Sequence, residues 1–236
     1  MNSNRISFAE GLKRVRDMLS ILRGFVGFNP PRTTESIDGI RAFIDTLVIA
    51  NTNVTNLNGE YRLAVGNRKS LFYTDDNSVV RIFANIMLYI KAQYGKDSTE
   101  YAILDTIMDK MRTTRLSVAT TEGTEGEPKR KYSYSSRSYG TMTQNFHDFI
   151  TTVLTFDGYN PAEDDYKPEG LTILLGKINA ANDDVATKRS NLKVAKDDRR
   201  ALYNELSDRS ARIRSYVKYK YGKDSTEDSQ IRSNGF

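Results

Sequence analysis

Tyr94-Gly95-Lys96-Asp97-Ser98-Thr99-Glu100 recurs without change as Tyr221-Gly222-Lys223-Asp224-Ser225-Thr226-Glu227. Seven identical residues in register are too many for chance composition, so the chain is read first as a duplication. A second pair in the same order supports this: Gly27-Phe28-Asn29-Pro30 matches Gly158-Tyr159-Asn160-Pro161. The spacing from Gly27 to Gly95 is 68 residues and from Gly158 to Gly222 is 64, so copy two is shorter by about one helical turn. Upstream, the apolar set Val15, Met18, Leu19, Leu22 and Phe25 meets Phe146, Phe149, Ile150, Val153 and Phe156 at a constant offset of 131.

Both copies carry helical periodicity. Ser7 with Glu10 forms a capping box, and the stripe behind it runs until Gly24 and Gly27 stop it. Ile37, Ile40, Ile44, Leu47, Val54, Leu57 and Tyr61 then repeat at steps of three and four, which predicts a long helix over about 35–73, with Asn58-Gly59 as its weak point. Asp75-Asp76-Asn77 supplies a turn and the next N-cap. Val79, Phe83, Ile86, Ile90 and Tyr94 mark a returning helix that ends at Gly95, a position suited to a left-handed residue. Asp97 with Glu100 is expected to cap the next helix, so GKDSTE reads as a helix-stop and helix-start joint, as does Gly222 with Asp224 in copy two. GFNP and GYNP read the same way, with Gly27 and Gly158 as the stops. In copy two, Pro168 suits a first helical turn, and Leu171, Leu174, Ile178, Ala181, Val185, Leu192 and Ala195 continue the 3-4 spacing. Only DSQIRSNGF follows the second joint, so a counterpart of the helix at 99–112 is expected to be missing or disordered.

The expected fold class is therefore all-α: a tandem duplication of a long helical hairpin, forming a four-helix-bundle-like arrangement because one hairpin cannot cover both sides of its apolar seam. Copy one is placed at 1–119, a linker or projecting loop at 120–145 and copy two at 146–236, the whole as one fold unit. In the linker, the alternation of Leu116-Ser117-Val118 and Tyr132-Ser133-Tyr134 suits a small β-hairpin with EGTEGEP at its tip.

Composition removes several functions. There is no Cys and one His, which excludes disulfides, thiolate metal sites, cysteine nucleophiles and His-rich metal centres. No apolar run is long enough to span a bilayer, and the N-terminus lacks the uninterrupted apolar stretch of a secretory signal, so a cytoplasmic protein is expected. No cofactor is implied. His147 beside Asp148 is a poor base, because no nucleophile is tied to it by spacing and copy one has Arg16-Asp17 there. Asp75-Asp76, Asp164-Asp165, Asp183-Asp184 and Asp197-Asp198 lack the Glu-x-x-His partners of a di-iron bundle and read as turns or solvated faces. GKDST lacks the upstream glycine and strand of a phosphate-binding loop.

One electrostatic feature stands out. Residues 188–220 hold eleven Lys and Arg against four acids, a net +7, whereas 57–93 in copy one has five against three, a net +2. Lys188, Arg189, Lys193, Arg199, Arg200, Arg209, Arg212, Arg214, Lys218 and Lys220 are the candidate nucleic-acid contacts, with Tyr203, Tyr216, Tyr219 and Tyr221 as stacking faces between them. The linker's Lys129-Arg130-Lys131 with Tyr132, Tyr134, Arg137 and Tyr139 has a similar composition, diluted by Glu122, Glu125 and Glu127. Against this stands the reading of the same run as the solvated face of a long helix, Tyr216 and Val217 included in the core.

The joint sequence as a whole, with Arg200-Ala201-Leu202-Tyr203 in the helix before it, resembles a repeat unit of uncharacterised bacterial proteins built from tandem long helical hairpins. The resemblance covers about 15–112 and 146–228 and implies a tandem helical module, with no activity, cofactor or substrate attached. The functional expectation is a non-enzymatic structural or protein-interaction protein, holding a protein partner or a second copy of itself. A nucleic-acid-binding protein using the basic helix of copy two is the alternative.

Overall fold

The computed structural model describes residues 7–112, 116–120, 131–135 and 138–233. Copy one consists of α1 (Phe8–Arg23), α2 (Ile37–Lys69), a π-helical turn (Ser70–Thr74), α3 (Val79–Tyr94) and α4 (Thr99–Arg112). Strands β1 (Leu116–Thr120) and β2 (Lys131–Ser135) follow, paired antiparallel with Val118 opposite Ser133; the segment 121–130 lies outside the described residues. Copy two consists of α5 (Tyr139–Val153), α6 (Pro168–Tyr221) and α7 (Thr226–Ser233). α5 thus begins within the stretch assigned from sequence to the linker. Short 3-10 turns at Thr33–Glu35 and Asp164–Tyr166 precede α2 and α6.

Ser7 caps α1 as expected, its hydroxyl accepting from the Glu10 amide at 3.2 Å, while the Glu10 carboxylate accepts from Arg14 at 3.0 Å rather than returning to the Ser7 amide. At the repeated joint the cap is one residue later than the sequence suggested. Ser98 Oγ accepts from the Tyr101 amide and Ser225 Oγ from the Asp228 amide, each at 3.1 Å, so serine, and neither Asp97 nor Asp224, satisfies the first turn. Asp224 instead adopts φ +66° and receives Arg232 at 3.0 Å. Gly95 lies at φ 94°, ψ 158°, and Gly222 at φ 100°. For Gly95 this is the extended mirror region that only glycine enters readily, rather than the left-handed helical well. Gly27 and Gly158 also have positive φ, 73° and 75°.

Asn58-Gly59 does not interrupt α2, which runs on to Lys69. The length difference between the copies falls at 70–78. Aligning Lys69 with Arg200 and Val79 with Leu206 sets nine residues of copy one against five of copy two, the surplus centred on Thr74-Asp75-Asp76-Asn77. These residues form turns and caps better than helix interior, so copy one breaks there while α6 continues for 54 residues. α7 takes the place of α4 in copy two, with Ile231 buried as Leu104 is; the expected gap after the second joint is therefore filled by a short helix.

The chain divides into two compact units that do not coincide with the copies. Unit one comprises 1–61 and 188–236, and unit two comprises 62–187. Each unit joins the leading part of one copy to the trailing part of the other. The core of unit one draws on four helices: α1 (Val15, Met18, Leu22), α2 (Ile40, Phe43, Ile44, Leu47), α6 (Leu206, Ile213, Val217) and α7 (Ile231). That of unit two draws on α3, α4, α5 and the start of α6, with Phe72, Phe83, Phe146 and Phe149 among its fully buried side chains. No residue of α3 belongs to the first core. α2 thus packs in the first core with α1, α6 and α7, and α3 in the second with α4, α5 and α6, so each has partners in both copies.

Candidate partner-binding groove

One layer of the contacts that join the copies is built from tyrosine. In unit one, the Tyr216 hydroxyl donates to the Asn29 carbonyl at 2.6 Å and accepts from the Asn29 amide at 3.3 Å, and Tyr221 donates to the Val26 carbonyl at 3.0 Å. In unit two, Tyr89 accepts from the Asn160 amide at 3.2 Å and Tyr94 donates to the Asp157 carbonyl at 2.7 Å. Tyr89 and Tyr94 precede Tyr216 and Tyr221 by 127 residues, the offset of the GKDSTE joint itself. The rings match as well: Phe28 meets Tyr216 edge-on at 5.5 Å and Tyr159 meets Tyr89 at 5.4 Å, while Phe25 meets Tyr221 at 5.4 Å and Phe156 meets Tyr94 at 6.0 Å. Such edge-to-face pairs are worth about 0.5–1.5 kcal/mol beyond the area they bury. The loops around GFNP and GYNP are therefore more than helix stops, since Val26 with Asn29, and Asp157 with Asn160, offer backbone groups to a pair of tyrosines from the opposite copy.

Burial and neighbouring phenols raise the pKa of Tyr94, Tyr159 and Tyr221, burial being the larger cause in each. These tyrosines stay protonated and keep donating through the neutral range.

A second layer differs between the units. In unit one, Glu35 is 2% exposed and its carboxylate takes both Arg212 Nε and Nη2 at 2.8 Å, with Thr34 Oγ1 donating to its other oxygen at 2.9 Å. The equivalent pair in unit two is Tyr166 and Asn85, whose amide donates to the phenol oxygen at 2.7 Å. Beside the Glu35–Arg212 pair lies an open groove of about 450 Å³, lined by Pro30, Pro31 and Arg32 on one side and Arg212, Tyr216 and Tyr219 on the other. Tyr219 stands 84% exposed over it. The matching positions of copy two and α3 hold Ala162 and Ala92 where unit one has Pro31 and Tyr219, so nothing of that bulk is repeated in unit two.

The residues singled out for nucleic acid separate into two groups. Arg209 stacks at 4.0 Å on Phe43 and donates to Glu205 and to the Thr34 carbonyl, with only 14% of its side chain exposed. Arg199 stacks at 4.0 Å on Phe8, as its equivalent Arg68 does at 3.9 Å on Tyr139. Arg212 holds Glu35, Lys188 holds Glu60 at 2.7 Å and Arg200 holds Asp197 at 3.0 Å. Of the four tyrosines read as stacking faces, Tyr203 bridges Asn51 and the Phe8 carbonyl, and Tyr216 and Tyr221 are the clamps, leaving Tyr219 to solvent. Arg199, Arg209, Arg212, Tyr203, Tyr216 and Tyr221 are thus engaged in the packing of the fold, whereas Arg200 pairs with Asp197 at the surface. Arg189, Lys193, Lys218 and Lys220 are exposed, and so is Lys196, which the candidate set omitted. Arg214 is half-buried and engaged within the chain. The linker's Lys129 and Arg130 lie outside the described residues.

His147 and Asp148 sit exposed with 3.7 Å between Nδ1 and Oδ1, and Asp148 accepts from Gln144 at 2.8 Å. Asp76 pairs with Arg81, Asp164 with Lys167 at 2.6 Å, and Asp165 with Asn77 at 2.7 Å. The Lys167 hydrogen bond and charge hold the Asp164 carboxyl below its usual range. Among the described residues no three of His, Asp and Glu converge as a metal site, and no helix is long and apolar enough to cross a membrane. Neither Pro31 nor Tyr219 was legible as a groove residue. The signal that would have pointed there is the shared 127-residue offset of the paired tyrosines, which places Tyr216 opposite GFNP. No family model, curated protein or solved structure matches the chain.

Proposed function

We propose that the chain is a non-enzymatic interaction protein whose copy-two helix and GFNPPR loop hold a protein segment in the groove between Pro31 and Tyr219. The observation that carries this is Tyr219 itself: a large aromatic ring, 84% exposed, over an open groove whose floor is already fixed by Tyr216. Exposed tyrosine beside a preformed cleft is the usual composition of an interaction hot spot. The chemistry of the occupant follows from charge. The one carboxylate in the lining, Glu35, is neutralised by Arg212, while Arg32 stands exposed at the rim and Lys220 adjoins Tyr219. A segment with an apolar or aromatic anchor flanked by Asp or Glu fits such a surface.

The non-enzymatic part of the reading is supported by where reactive groups are spent. Glu35, Asp228, Tyr203 and Tyr216 all hold other parts of the fold, Asp228 through Arg232 at 3.2 Å and the Asp224 amide at 3.1 Å. The test is selection of a displayed random-peptide library on the full chain and on Tyr219→Ala. Enrichment of an aromatic flanked by acids, lost on Tyr219→Ala, is the expected result. Enrichment without that pattern, or one that survives the substitution, would refute the assignment.

A further inference from the structure

We infer that one face of α6, from Arg189 to Lys218, binds single-stranded nucleic acid along its phosphodiester backbone. The inference is independent of the peptide groove and rests on how charge is placed around α6 within unit one. Leu192, Ala195, Ile213 and Val217 are buried, and the residue after each is basic: Lys193, Lys196, Arg214 and Lys218. The same step follows Lys188, held on Glu60, and Arg199, laid on Phe8, and gives Arg189 and Arg200. Successive residues of an α-helix are turned by about 100°, so side chains one step past a continuous core seam form their own row beside it.

That row holds six basic residues and no acid. Asp197, Asp198, Glu205 and Asp208 all fall at other steps, and the row positions after Leu206 and Ser210 are the neutral Ser207 and Ala211. Arg200 already holds Asp197 and Arg214 is engaged within the chain, so the inference stands on Arg189, Lys193, Lys196 and Lys218, which are exposed and have no carboxylate within ion-pair distance among the described residues. Copy one has a basic residue at three of the six equivalent positions, Arg62, Lys69 and Lys91, and Asn58, Val65 and Met87 at the others, so the complete row belongs to copy two alone.

Shape selects the ligand. From 189 to 218 the row extends for about 44 Å along the helix and is about one side chain wide. The backbone of a duplex winds away from such a line after a few phosphates, whereas an extended single strand can follow it. An anionic bilayer is recognised by a helix that sets leucine or aromatic side chains beside its cations, and the row contains neither.

The test is fluorescence anisotropy of the full chain against a labelled single strand of about 20 nucleotides, its duplex, and phosphatidylserine vesicles, at about 50 and 200 mM salt. Saturable binding of the single strand is expected, weakening about 50- to 300-fold across that range if four to six phosphates are neutralised. The combined Arg189→Gln, Lys193→Gln, Lys196→Gln and Lys218→Gln variant is expected to lose most of that binding with an unchanged thermal unfolding curve, while Lys69→Gln with Lys91→Gln keeps it. No saturable binding at the lower salt, equal binding by the four-site variant, a duplex bound as tightly as the single strand, or vesicle binding without oligonucleotide binding would each overturn the inference.

Discussion

Tyr216 and Asn29 hold each other through two hydrogen bonds 187 residues apart in the chain, the phenol donating to the Asn29 carbonyl and accepting from its amide. Tyr89 makes only the accepting bond to Asn160. Tyr216→Phe removes both and should cost about 1 kcal/mol, with Tyr89→Phe costing about half of that. Urea midpoints of the two variants give the ranking, and a larger loss at Tyr89 would contradict it.

The tyrosines also set an alkaline limit. Tyr94, Tyr159 and Tyr221 have pKa values raised above the ordinary 10.0. Above pH 10 the unfolded chain releases these protons and the folded chain retains them, so their contribution is complete below the ordinary value and is lost as pH rises through the folded values. Unfolding free energy measured by urea should hold level from pH 7 to about 9 and fall steeply above about 10. The fall should lessen when Tyr159 is replaced by Phe.

Glu35–Arg212 and Tyr166–Asn85 are alternative solutions to one position. Arg212→Asn alone strands a buried carboxylate and should cost about 2 kcal/mol, less than a fully buried pair because Arg212 is partly solvated. Adding Glu35→Tyr installs the partner arrangement of unit two and should restore at least half of the loss. A double-mutant cycle gives the coupling directly; additive losses would show that the two positions do not correspond.

Glycines at equivalent helix starts should behave unlike a glycine in mid-helix. A Cβ at Gly39 would lie 2.1 Å from the Thr33 carbonyl oxygen, and one at Gly170 2.2 Å from that of Asp164. Gly39→Ala and Gly170→Ala must move the preceding 3-10 turn and should each cost about 2 kcal/mol or more. At Gly59 a Cβ meets nothing, so Gly59→Ala should raise stability by about 0.5–1 kcal/mol. Thermal midpoints of the three variants distinguish the cases.

Much of the local structure was legible because it is written in short-range chemistry. Ser7 and Glu10 announced α1, the 3-4 spacing from Ile37 announced α2, and the glycines of both joints announced helix ends. What could not be read was which apolar face meets which. The stripes on α2 and α3 are equally good partners for each other and for helices of the other copy, and periodicity carries no address. The break at Thr74-Asp75-Asp76-Asn77 was visible, yet a break reads as a reversal only if the next helix returns, and the buried Ile82, Ile86 and Ile90 pack with α4, α5 and α6. The candidate sites suffered likewise. Arg199, Arg209 and Tyr216 differ from Lys193 and Tyr219 only in the side of α6 they occupy, which composition does not record.

The composition of the two units bears on what holds the chain together. Because each core takes helices from both copies, the packing of the cores joins the copies independently of the chain connection between α4 and α5. A protease that cuts within 121–130 should leave two fragments that co-migrate under native conditions and separate only in denaturant. Copy two alone carries the full row of cations and the exposed Tyr219, and copy one alone the extra turn at 70–78, yet both cores draw on both copies.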